Sequence, residues 1–423
     1  MLDLKLIRER PQEVEERLRR RDPGVSLERL LGLDRRRRDT LVEVERLKST
    51  RNKASDVIAA AKREGRDASS QIAEMQEVSR RIKDLDERLR ECEVELDAEL
   101  VALPNLPHDR VPASQRKEDK VILRQSGVKP AFDFPLKNHV ELGRALGILD
   151  FERAAKVTGA QFPMYFGAGE RLEWALLQYL IDVNVSEHGY TLILPPYLVN
   201  PQSLVAAGNL PKFGDQLYHC EADDLYLIPT SEAILTNLHR DETLDEAELP
   251  KNYCAYTANF RREAGTYGAG ERGLIRVHQF NKVEMFKYTA AGASYDEFER
   301  LVEDAEDLVR RLGLHYRVVL LPSGDIAQQA AMTVDVEVWL PAQGAYYEVS
   351  SCSNCEDYQA RGANMRYRDA AGRLRYMHTL NGSGLATSRL MVAILETNQR
   401  PDGSVRVPEA LQKYAGGMEV IGG

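Results

Sequence analysis

Two short runs of charged residues interrupt what otherwise reads as a pair of strands, and their spacing suits a ligand. Arg261 and Glu263 lie two residues apart, so a strand would point both side chains to one face. Phe280, Lys282 and Glu284 share a face of the next strand in the same way. An arginine fork binds phosphate or carboxylate, a glutamate accepts hydrogen bonds from an amino group, and an aromatic ring stacks on a base. The pattern therefore predicts a hairpin that grips opposite ends of ATP.

The same residues allow plainer interpretations. A lone arginine–x–glutamate is more often part of an exposed hairpin with surface ion pairs, which contribute little to stability. For Glu284 the alternative is a salt bridge to Lys282, which the alternate-residue spacing on one strand disfavours. The ligand site is favoured by the length over which the hairpin matches a known family.

The hairpin resembles motif 2 of the class II aminoacyl-tRNA synthetases. The run RVHQFNKVE at 276–284 is most similar to the version in the seryl-tRNA synthetases. Segments 169–197 and 379–389 resemble motifs 1 and 3 of the same class, in the expected order. Segments 227–232 and 348–355 are similar to two further family segments. Each match is weak or moderate evidence alone, whereas five matches in order are specific.

This resemblance implies an α+β fold and a reaction. The fold would be a long N-terminal antiparallel α-helical coiled-coil arm, followed by a class II synthetase catalytic domain with an antiparallel β-sheet flanked by helices. Motif 1 would form a homodimer interface. The reaction would have two steps, in which serine and ATP give seryl-adenylate and pyrophosphate, and the seryl group then passes to the 3'-terminal ribose of tRNA(Ser). It would extend to tRNA(Sec) where that tRNA is present.

The resemblance also implies roles for residues at matching positions, with ATP and Mg²⁺ as cofactors. The implied catalytic residues are Arg261, Glu263 and Arg389. Those implied for ATP binding are Arg261, Arg262, Glu263, Val277, Phe280, Glu348, Val349, Ser350, Ser351 and Arg389. Those implied for serine binding are Thr230, Ser231, Glu232, Arg261, Glu284, Asn381 and Ser383. Glu348 and Ser351 would hold Mg²⁺, whose preference for hard oxygen ligands they satisfy.

Individual tasks follow from the same motif positions. Arg261 would bind both the α-phosphate and the serine carboxylate, and Arg389 the far phosphates. Glu263 would accept from the adenine amine, while Phe280 stacks on the adenine face. Glu284 would face the serine hydroxyl and ammonium, and a buried partner of this kind rejects alanine because it would lose a hydrogen bond.

The N-terminal quarter of the chain has the pattern of two long helices. Hydrophobic or small residues recur mainly at spacings of three and four through 40–61 and again through 72–103, as in helices that pack along a seam. Gly65 and the Asp and Ser residues after it can end one helix and cap the next. Prolines from Pro104 onward then begin a linker. We therefore predict a helical arm at 1–103, a linker and the start of the catalytic domain at 104–135, and the rest of that domain at 136–423.

Charge is unevenly distributed along the predicted arm. The whole chain carries a net charge of −9, yet residues 1–102 hold 24 basic and 24 acidic side chains. Bases exceed acids by five between residues 46 and 66, near the tip, whereas acids dominate 74–99. A basic distal half suits phosphate contacts, although charge alone would favour a solvated face. Because the family holds tRNA with such an arm, the residues predicted to bind tRNA are Arg51, Lys53, Lys62 and Arg63.

Composition limits the remaining possibilities. The sequence contains no run of eighteen apolar residues and no N-terminal targeting pattern, so we expect a cytoplasmic protein without a membrane segment. Five cysteines do not suggest a disulfide framework. Cys352 and Cys355 form a lone C-x-x-C without the further ligands that a zinc site needs. Neither a P-loop nor a strand-linked dinucleotide fingerprint occurs.

Three departures from the family pattern leave a specialised paralog open. Tyr347 and Gly362 stand where family members commonly have arginines, and Ser388 stands where they have glycine. A carrier-protein ligase with the same adenylate chemistry is a second alternative, which would lack the helical arm. A nonenzymatic binding protein is a third, and it would be expected to lose Arg261, Glu348 or Arg389, all of which are present.

Overall fold

The computed structural model describes residues 1–264 and 273–422, and the loop of the predicted hairpin at 265–272 lies outside the described residues. The chain forms two compact units. The helical unit comprises Leu2–Arg19 and Gly24–Leu103. The sheet unit comprises Met1, Arg20–Pro23 and the chain from Pro104 onward.

The helical unit is built on an antiparallel pair of long helices. Its helices are α1 (Leu4–Glu9), α2 (Pro11–Arg19), α3 (Glu28–Arg63) and α4 (Ser69–Ala102). At 1.5 Å per residue, α3 and α4 are each roughly 50 Å long. Lys48 pairs with Asp86 at 3.2 Å and Arg37 with Glu93 at 3.0 Å, so ascending positions on α3 meet descending positions on α4. Gly65, with a positive φ of 71°, makes the turn between them. The predicted helical hairpin is confirmed.

The sheet unit alternates short strands and helices. Its helices are α5 (His139–Ala145), α6 (Phe151–Thr158), α7 (Ala168–Ser186), α8 (Pro201–Ala207), α9 (Glu232–Leu235), α10 (Ser294–Arg311), α11 (Tyr358–Gly362), α12 (Thr387–Thr397) and α13 (Glu409–Gln412). The strands up to the hairpin are β1 (Val121–Ser126), β2 (Thr191–Ile193), β3 (Leu198–Val199), β4 (His219–Cys220), β5 (Leu225–Leu227), β6 (Thr243–Asp245), β7 (Lys251–Phe260) and β8 (Gln279–Thr289). The later strands are β9 (Tyr316–Leu320), β10 (Met332–Leu340), β11 (Ala345–Asn354), β12 (Arg366–Arg368), β13 (Leu374–Tyr376), β14 (His378–Ala386), β15 (Val405–Arg406) and β16 (Val420–Ile421).

Eight of these strands form the central sheet, in the order β1-β9-β10-β11-β14-β8-β7-β2. Every neighbouring pair is antiparallel except β2 and β7. Helices α7, α10 and α12 contribute to the main apolar core, in which Leu176, Leu301 and Ile394 are fully buried against strand residues. The predicted α+β class, with an antiparallel sheet flanked by helices, is confirmed.

Most predicted elements occur with small shifts at their ends. The sequence pattern also predicts paired strands at 253–260 and 274–288 and an amphipathic helix at 294–312. In the structure, the first strand is Lys251–Phe260 and the helix is Ser294–Arg311. The second strand begins only at Gln279. A 3₁₀ turn occupies Gly273–Ile275 instead, because the Leu274 N–H is taken by the buried side chain of His139, at 3.2 Å. Within the described residues, none of the helices is both long and apolar enough to cross a membrane.

Candidate active site

A cavity of about 160 Å³ opens at the centre of the sheet unit, where the predicted motifs converge. Its walls come from the end of β7, from β8, β11 and β14, and from the first turn of α12. The lining residues are Arg261, Glu263, Ile275, Arg276, Val277, Phe280, Lys282, Glu348, Ser383, Ala386, Ser388 and Arg389. Charged residues from the hairpin, from the 348–355 segment and from the third motif are therefore brought together.

Arg261 presents an open fork to this cavity. It follows β7 directly, and its backbone N–H bonds the carbonyl of His278 at 2.9 Å. The side-chain Nε donates to the carbonyl of Pro229 at 3.2 Å, and the guanidinium lies 5.2 Å from the centre of the Phe280 ring. Among the described residues, neither terminal nitrogen has a hydrogen-bond partner. Such a fork can receive a phosphate or a carboxylate.

Glu263 lines the cavity, but its side chain is not directed there by strand geometry as predicted. The strand ends at Phe260, and Glu263 has a positive φ of 46°, so strand alternation does not govern its direction. Its Oε2 accepts from Arg276 at 2.8 Å, across the hairpin. The prediction that Arg261 and Glu263 share a strand face is therefore wrong, although both line the cavity.

Arg262 and two residues of the β11 segment, all predicted to bind ATP, are not among the residues that line the cavity. Arg262 is exposed and is not among the residues lining the cavity; its backbone N–H bonds Gln216. Val349 and Ser350 are buried. The Ser350 hydroxyl donates to the Ser383 carbonyl at 2.6 Å, so these two residues pack the sheet behind the site.

A β-bulge in β11 gives Glu348 and Ser351 a common face. Glu348 pairs with Glu337, Ser350 with Val336, and Ser351 with Asp335, so Val349 is the extra residue. Because Glu337 and Asp335 alternate regularly on β10, their partners also face one way. Burial and the nearby Glu348 charge raise the pKa of the Asp335 carboxyl.

Arg389 on α12 meets Glu348 directly. Its Nη1 donates to the Glu348 carbonyl at 2.9 Å and to Glu348 Oε2 at 3.1 Å, while Nε donates to the carbonyl of Ile275 at 3.1 Å. The Glu348 side chain is 40% exposed. Both side chains are thus held on the cavity wall where a ligand can compete for them.

Lys282 and Glu284 form a buried ion pair beside the cavity, only 5% and 2% exposed. The Lys282 ammonium also donates to the Thr230 hydroxyl at 2.8 Å, and that hydroxyl donates to Glu284 at 3.1 Å. The sequence prediction against this salt bridge is wrong. Residues two apart on a strand share a face, and a lysine stem is long enough to fold back onto its neighbour.

Glu232 is the second buried carboxylate, at 6% exposure. Three side-chain amides donate to its Oε1: Gln359 at 2.7 Å, Gln329 at 2.9 Å and Asn381 at 3.1 Å. No described residue hydrogen-bonds its Oε2. Burial, with the charge of Glu284 next in weight, raises the pKa of Glu232 to about 7. One oxygen is therefore fixed and the other is left for a ligand.

Strand β14 supplies Asn381 and Ser383 to the site and two glycines to the core. Asn381 donates to Glu232, and Ser383 lies opposite Glu284 in the register. A Cβ on Gly382 would lie 3.0 Å from the Cys352 sulfur, and one on Gly384 would lie 2.9 Å from Asn184 on α7. The glycine spacing therefore serves packing against the core, not a phosphate loop.

The remaining predicted positions are placed as follows. Val277 lines the cavity. Ser231 is fully buried, and its hydroxyl has no hydrogen-bond partner among the described residues. Of the departures from the family pattern, Tyr347 packs against the main core and Ser388 lines the cavity. Gly362 lies in α11 where a Cβ would come 3.3 Å from the backbone of Ala206, so close helix packing explains the glycine.

Sequence reasoning missed Gln329, Gln359 and Lys282 as partners of the buried carboxylates Glu232 and Glu284. Gln329 and Gln359 lie 97 and 127 residues beyond Glu232, and neither belongs to a segment with a local chemical signature. Lys282 was recognised on the correct face, but not as the counter-ion that makes two neighbouring buried carboxylates tolerable. No short-range pattern reports such contacts.

Two family models match the chain. Residues 1–107 match the seryl-tRNA synthetase N-terminal domain, and residues 218–398 match the class II tRNA synthetase core domain (G, H, P, S and T). These matches fall on the predicted arm and on the segments that build the cavity.

Full-length relatives and a solved structure agree with the models. The chain is 50% identical over 422 residues to the serine–tRNA ligase of Syntrophobacter fumaroxidans, and the alignment covers 100% of both chains. It is 51% identical over 423 residues to that of Geobacter sulfurreducens, again over 100% of both chains. The fold is similar to the crystal structure of the Pyrococcus horikoshii seryl-tRNA synthetase complexed with ATP, with a TM-score of 0.93, 38% identity, and coverage of 100% of this chain and 99% of that chain.

Replacing Lys282 with methionine should destabilise the sheet unit by about 3 kcal/mol, because it leaves the buried Glu284 charge without its partner. The double variant Lys282→Met/Glu284→Gln should recover most of that loss, since no unpaired charge then remains. Chemical denaturation of the parent and both variants measures the difference. Equal stability of the parent and Lys282→Met would contradict a buried pair.

Proposed function

The chain belongs to the seryl-tRNA synthetase family, and from that premise we propose that it is a serine–tRNA ligase. It forms seryl-adenylate and pyrophosphate from serine and ATP, and then transfers the seryl group to the terminal ribose of tRNA(Ser), or of tRNA(Sec) where that tRNA is present. The observation that carries the proposal is the open arginine fork of Arg261 in the cavity, together with the buried carboxylates Glu232 and Glu284, which adjoin the cavity through its lining residue Lys282. A cytoplasmic location accords with this role.

Arg261 on the cavity wall and the buried carboxylates beside the cavity are together complementary to an amino-acid zwitterion. Glu232 leaves its Oε2 without a partner among the described residues, so this oxygen can accept from the substrate ammonium. Arg261 can pair with the substrate carboxylate through nitrogens that no described residue engages. Glu284 with Thr230 then provides polar partners for a short side chain with one hydroxyl. A substrate that lacks the hydroxyl would leave a buried group unpaired, which disfavours its binding.

Adenylate formation needs charge neutralisation more than a general acid or base. We infer that Arg261 holds the α-phosphate next to the serine carboxylate, so that the attacking oxygen and the phosphorus are brought together. Arg389 would bind the far phosphates, and Glu263 and Phe280 would hold the adenine. All four side chains line the one cavity. The Pyrococcus horikoshii relative was solved as a complex with ATP, which is the ligand that this arrangement would receive.

Glu348 and Ser351 fit the Mg²⁺ role that we propose for them. The β-bulge turns both toward one face, the Glu348 carboxylate is 40% exposed, and buried Asp335 opposite Ser351 has an Oδ1 with no hydrogen-bond partner among the described residues. In those parts of the chain, no group of three or more His, Cys, Asp or Glu side chains is arranged around a metal, so phosphate and water would complete the ligand set. When bound there, Mg²⁺ supplies positive charge to the phosphate oxygens.

A homodimer is the assembly that we propose, with α7 and the edge strand β2 at the interface. Large apolar side chains are exposed on these elements: Trp174 is 48% exposed, Leu192 is 45% exposed, and Leu194, just beyond β2, is 80% exposed. Because β2 ends the sheet order, its outer edge has no strand beside it among the described residues. An exposed apolar patch next to an open edge supports burial against a second copy.

Serine should drive ATP–pyrophosphate exchange strongly, with threonine, alanine and glycine far behind, because the pocket offers buried partners to one hydroxyl. The measurement is exchange with each of the twenty amino acids. Equal or greater exchange with another amino acid would refute the assignment to serine.

In the same assay, the site variant Arg261→Ala should reduce exchange at least about a hundredfold, because it removes a charge partner of the reacting groups. Arg144→Ala changes an exposed arginine of α5 and should leave exchange within about twofold of the parent, since a surface ion pair contributes little. Activity of Arg261→Ala close to that of Arg144→Ala would show that the cavity is not the site.

Serine affinity should fall as the pH decreases through about 7, where burial and Glu284 place the pKa of Glu232. Below that pH the carboxyl is protonated and offers no charge to the serine ammonium, whereas above it the carboxylate is present. The pH profile of kcat/KM for serine measures this step. Glu232→Gln should have a low kcat/KM without the step, and a parent profile that is flat between about pH 6 and 8 would contradict the role of Glu232.

The basic half of the helical unit is the proposed tRNA-binding surface. Lys53, Lys62 and Arg63 are exposed, and none of them pairs with an acidic side chain among the described residues. Arg51 is half-buried between α3 and α4, so changes there would also affect helix packing. Bases without such a partner remain available to phosphates, and binding of this kind weakens as salt increases.

Replacing Lys53, Lys62 and Arg63 together with glutamine should weaken tRNA(Ser) binding and reduce its dependence on salt, while serine-dependent pyrophosphate exchange is unchanged. The matched control replaces three other bases, Lys83, Arg88 and Arg90, with glutamine; they lie on the acid-rich part of α4. Filter binding at several salt concentrations compares the two triple variants. If both bind tRNA as tightly as the parent, the arm is not the tRNA-binding surface.

A further inference from the structure

Gln329 is held next to the buried carboxylate of Glu232 by a segment that has no regular secondary structure of its own. It lies between β9 and β10, in the 326–330 segment, and is 5% exposed. Its side-chain amide donates to Glu232 Oε1 at 2.9 Å. Gln359 and Asn381, the other donors to that oxygen, are fixed by a helix and a strand. The position of Gln329 therefore depends on whatever holds the 326–330 segment.

Arg21 holds this segment from one side. It is 7% exposed, and its two terminal nitrogens make five hydrogen bonds to backbone carbonyls. Four of the acceptors belong to the segment: Ile326 at 2.8 Å, Ala327 at 2.7 Å, Gln328 at 3.3 Å and Ala330 at 3.0 Å. The fifth is Asn105, at 3.0 Å. Burial lowers the pKa of Arg21 to about 10, so the guanidinium stays charged at neutral pH.

Asn105 completes the clamp. It is 4% exposed, and its side-chain amide donates to the carbonyl of Gln329 at 2.9 Å and to that of Cys355 at 2.8 Å. Its backbone N–H bonds the carbonyl of Gln328 at 2.8 Å. Asn105 thus fixes the backbone of the very residue whose side chain reaches Glu232.

We propose that Arg21 and Asn105 are positioning residues for serine recognition, which hold the 326–330 segment so that Gln329 keeps its hydrogen bond to Glu232. The inference rests on the proposed function. Arg21 lies just beyond α2 and Asn105 just beyond α4, at points where the chain passes between the helical unit and the sheet unit. Serine affinity therefore depends on the segments that connect the two units.

A buried clamp also contributes to stability, so the test must separate positioning from folding. Loss of folded protein lowers kcat and leaves both KM values unchanged, because the remaining molecules are normal. Loss of positioning raises the KM for serine and spares the KM for ATP, because Gln329 contacts Glu232 and does not line the ATP cavity. Steady-state pyrophosphate exchange on the full chain reports all of these quantities.

Asn105→Ala should raise the KM for serine about tenfold, with the KM for ATP within about twofold of the parent. Arg21→Lys, which keeps the charge and loses the fork, should do the same and provides the test if Asn105→Ala does not fold. The matched control is Gln115→Ala, which removes a hydrogen bond of 2.7 Å to the Arg20 carbonyl, next to Arg21 in the chain, but has none to 326–330 among the described residues. Its KM for serine should be unchanged.

A double-mutant cycle gives the sharper result. Gln329→Ala alone should raise the KM for serine about tenfold, and adding Asn105→Ala to it should raise the KM little further, because both act through the same hydrogen bond. Effects that multiply, or equal changes in the KM values for serine and ATP, would overturn the positioning role while leaving the proposed function intact. A parent without serine-dependent exchange would overturn both.

Discussion

The site is organised around the cost of burying a carboxylate. An ionised carboxyl group that loses its water is unstable unless hydrogen bonds or a counter-ion replace it. Glu232 satisfies this requirement with three amides on one oxygen, and Glu284 satisfies it with Lys282 and Thr230. Those partners come from β8, β14, α11 and two loops, so these elements must converge before either charge is tolerated. The contacts that make the two buried carboxylates tolerable are thus the same contacts that would fix them for the proposed binding of a substrate ammonium.

The elements were predictable from local patterns because their determinants are local. Strand alternation placed Phe280, Lys282 and Glu284 on one face, and the helical repeat with Gly65 gave the hairpin of α3 and α4. Strand alternation gave the wrong direction for Glu263, because the strand had already ended there. Alternation also could not place Glu348 and Ser351 on one face of β11, since residues three apart on a regular strand face opposite ways. They share a face because Val349 is an extra residue in the register between β11 and β10.

The contacts that complete the pocket were not predictable, since each joins distant parts of the chain. Gln329 meets Glu232 only after the 326–330 segment has been fixed, and the residues that fix it, Arg21 and Asn105, lie 309 positions before Ala330 and 224 positions before Gln329, respectively. An arginine before a proline-containing turn carries no sign that it will be buried under five carbonyl groups. Burial of this kind is decided by tertiary packing, and sequence patterns record only which side chains would need partners.

Charge balance is the last argument for a small zwitterion as the proposed ligand. Above about pH 7, where Glu232 is ionised, Glu232 and Glu284 with the counter-ion Lys282 leave one excess negative charge, and Arg261 contributes one positive charge on the wall of the adjoining cavity. A free amino acid brings the opposite pair, so its binding neutralises both ends without burying net charge. An amine without a carboxylate would leave Arg261 unmatched, and a carboxylate without an amine would leave the excess charge beside Glu232. Under the proposed function, charge would therefore select the ammonium and carboxylate groups that all amino acids share, and the polar partners Glu284 and Thr230 would decide between side chains.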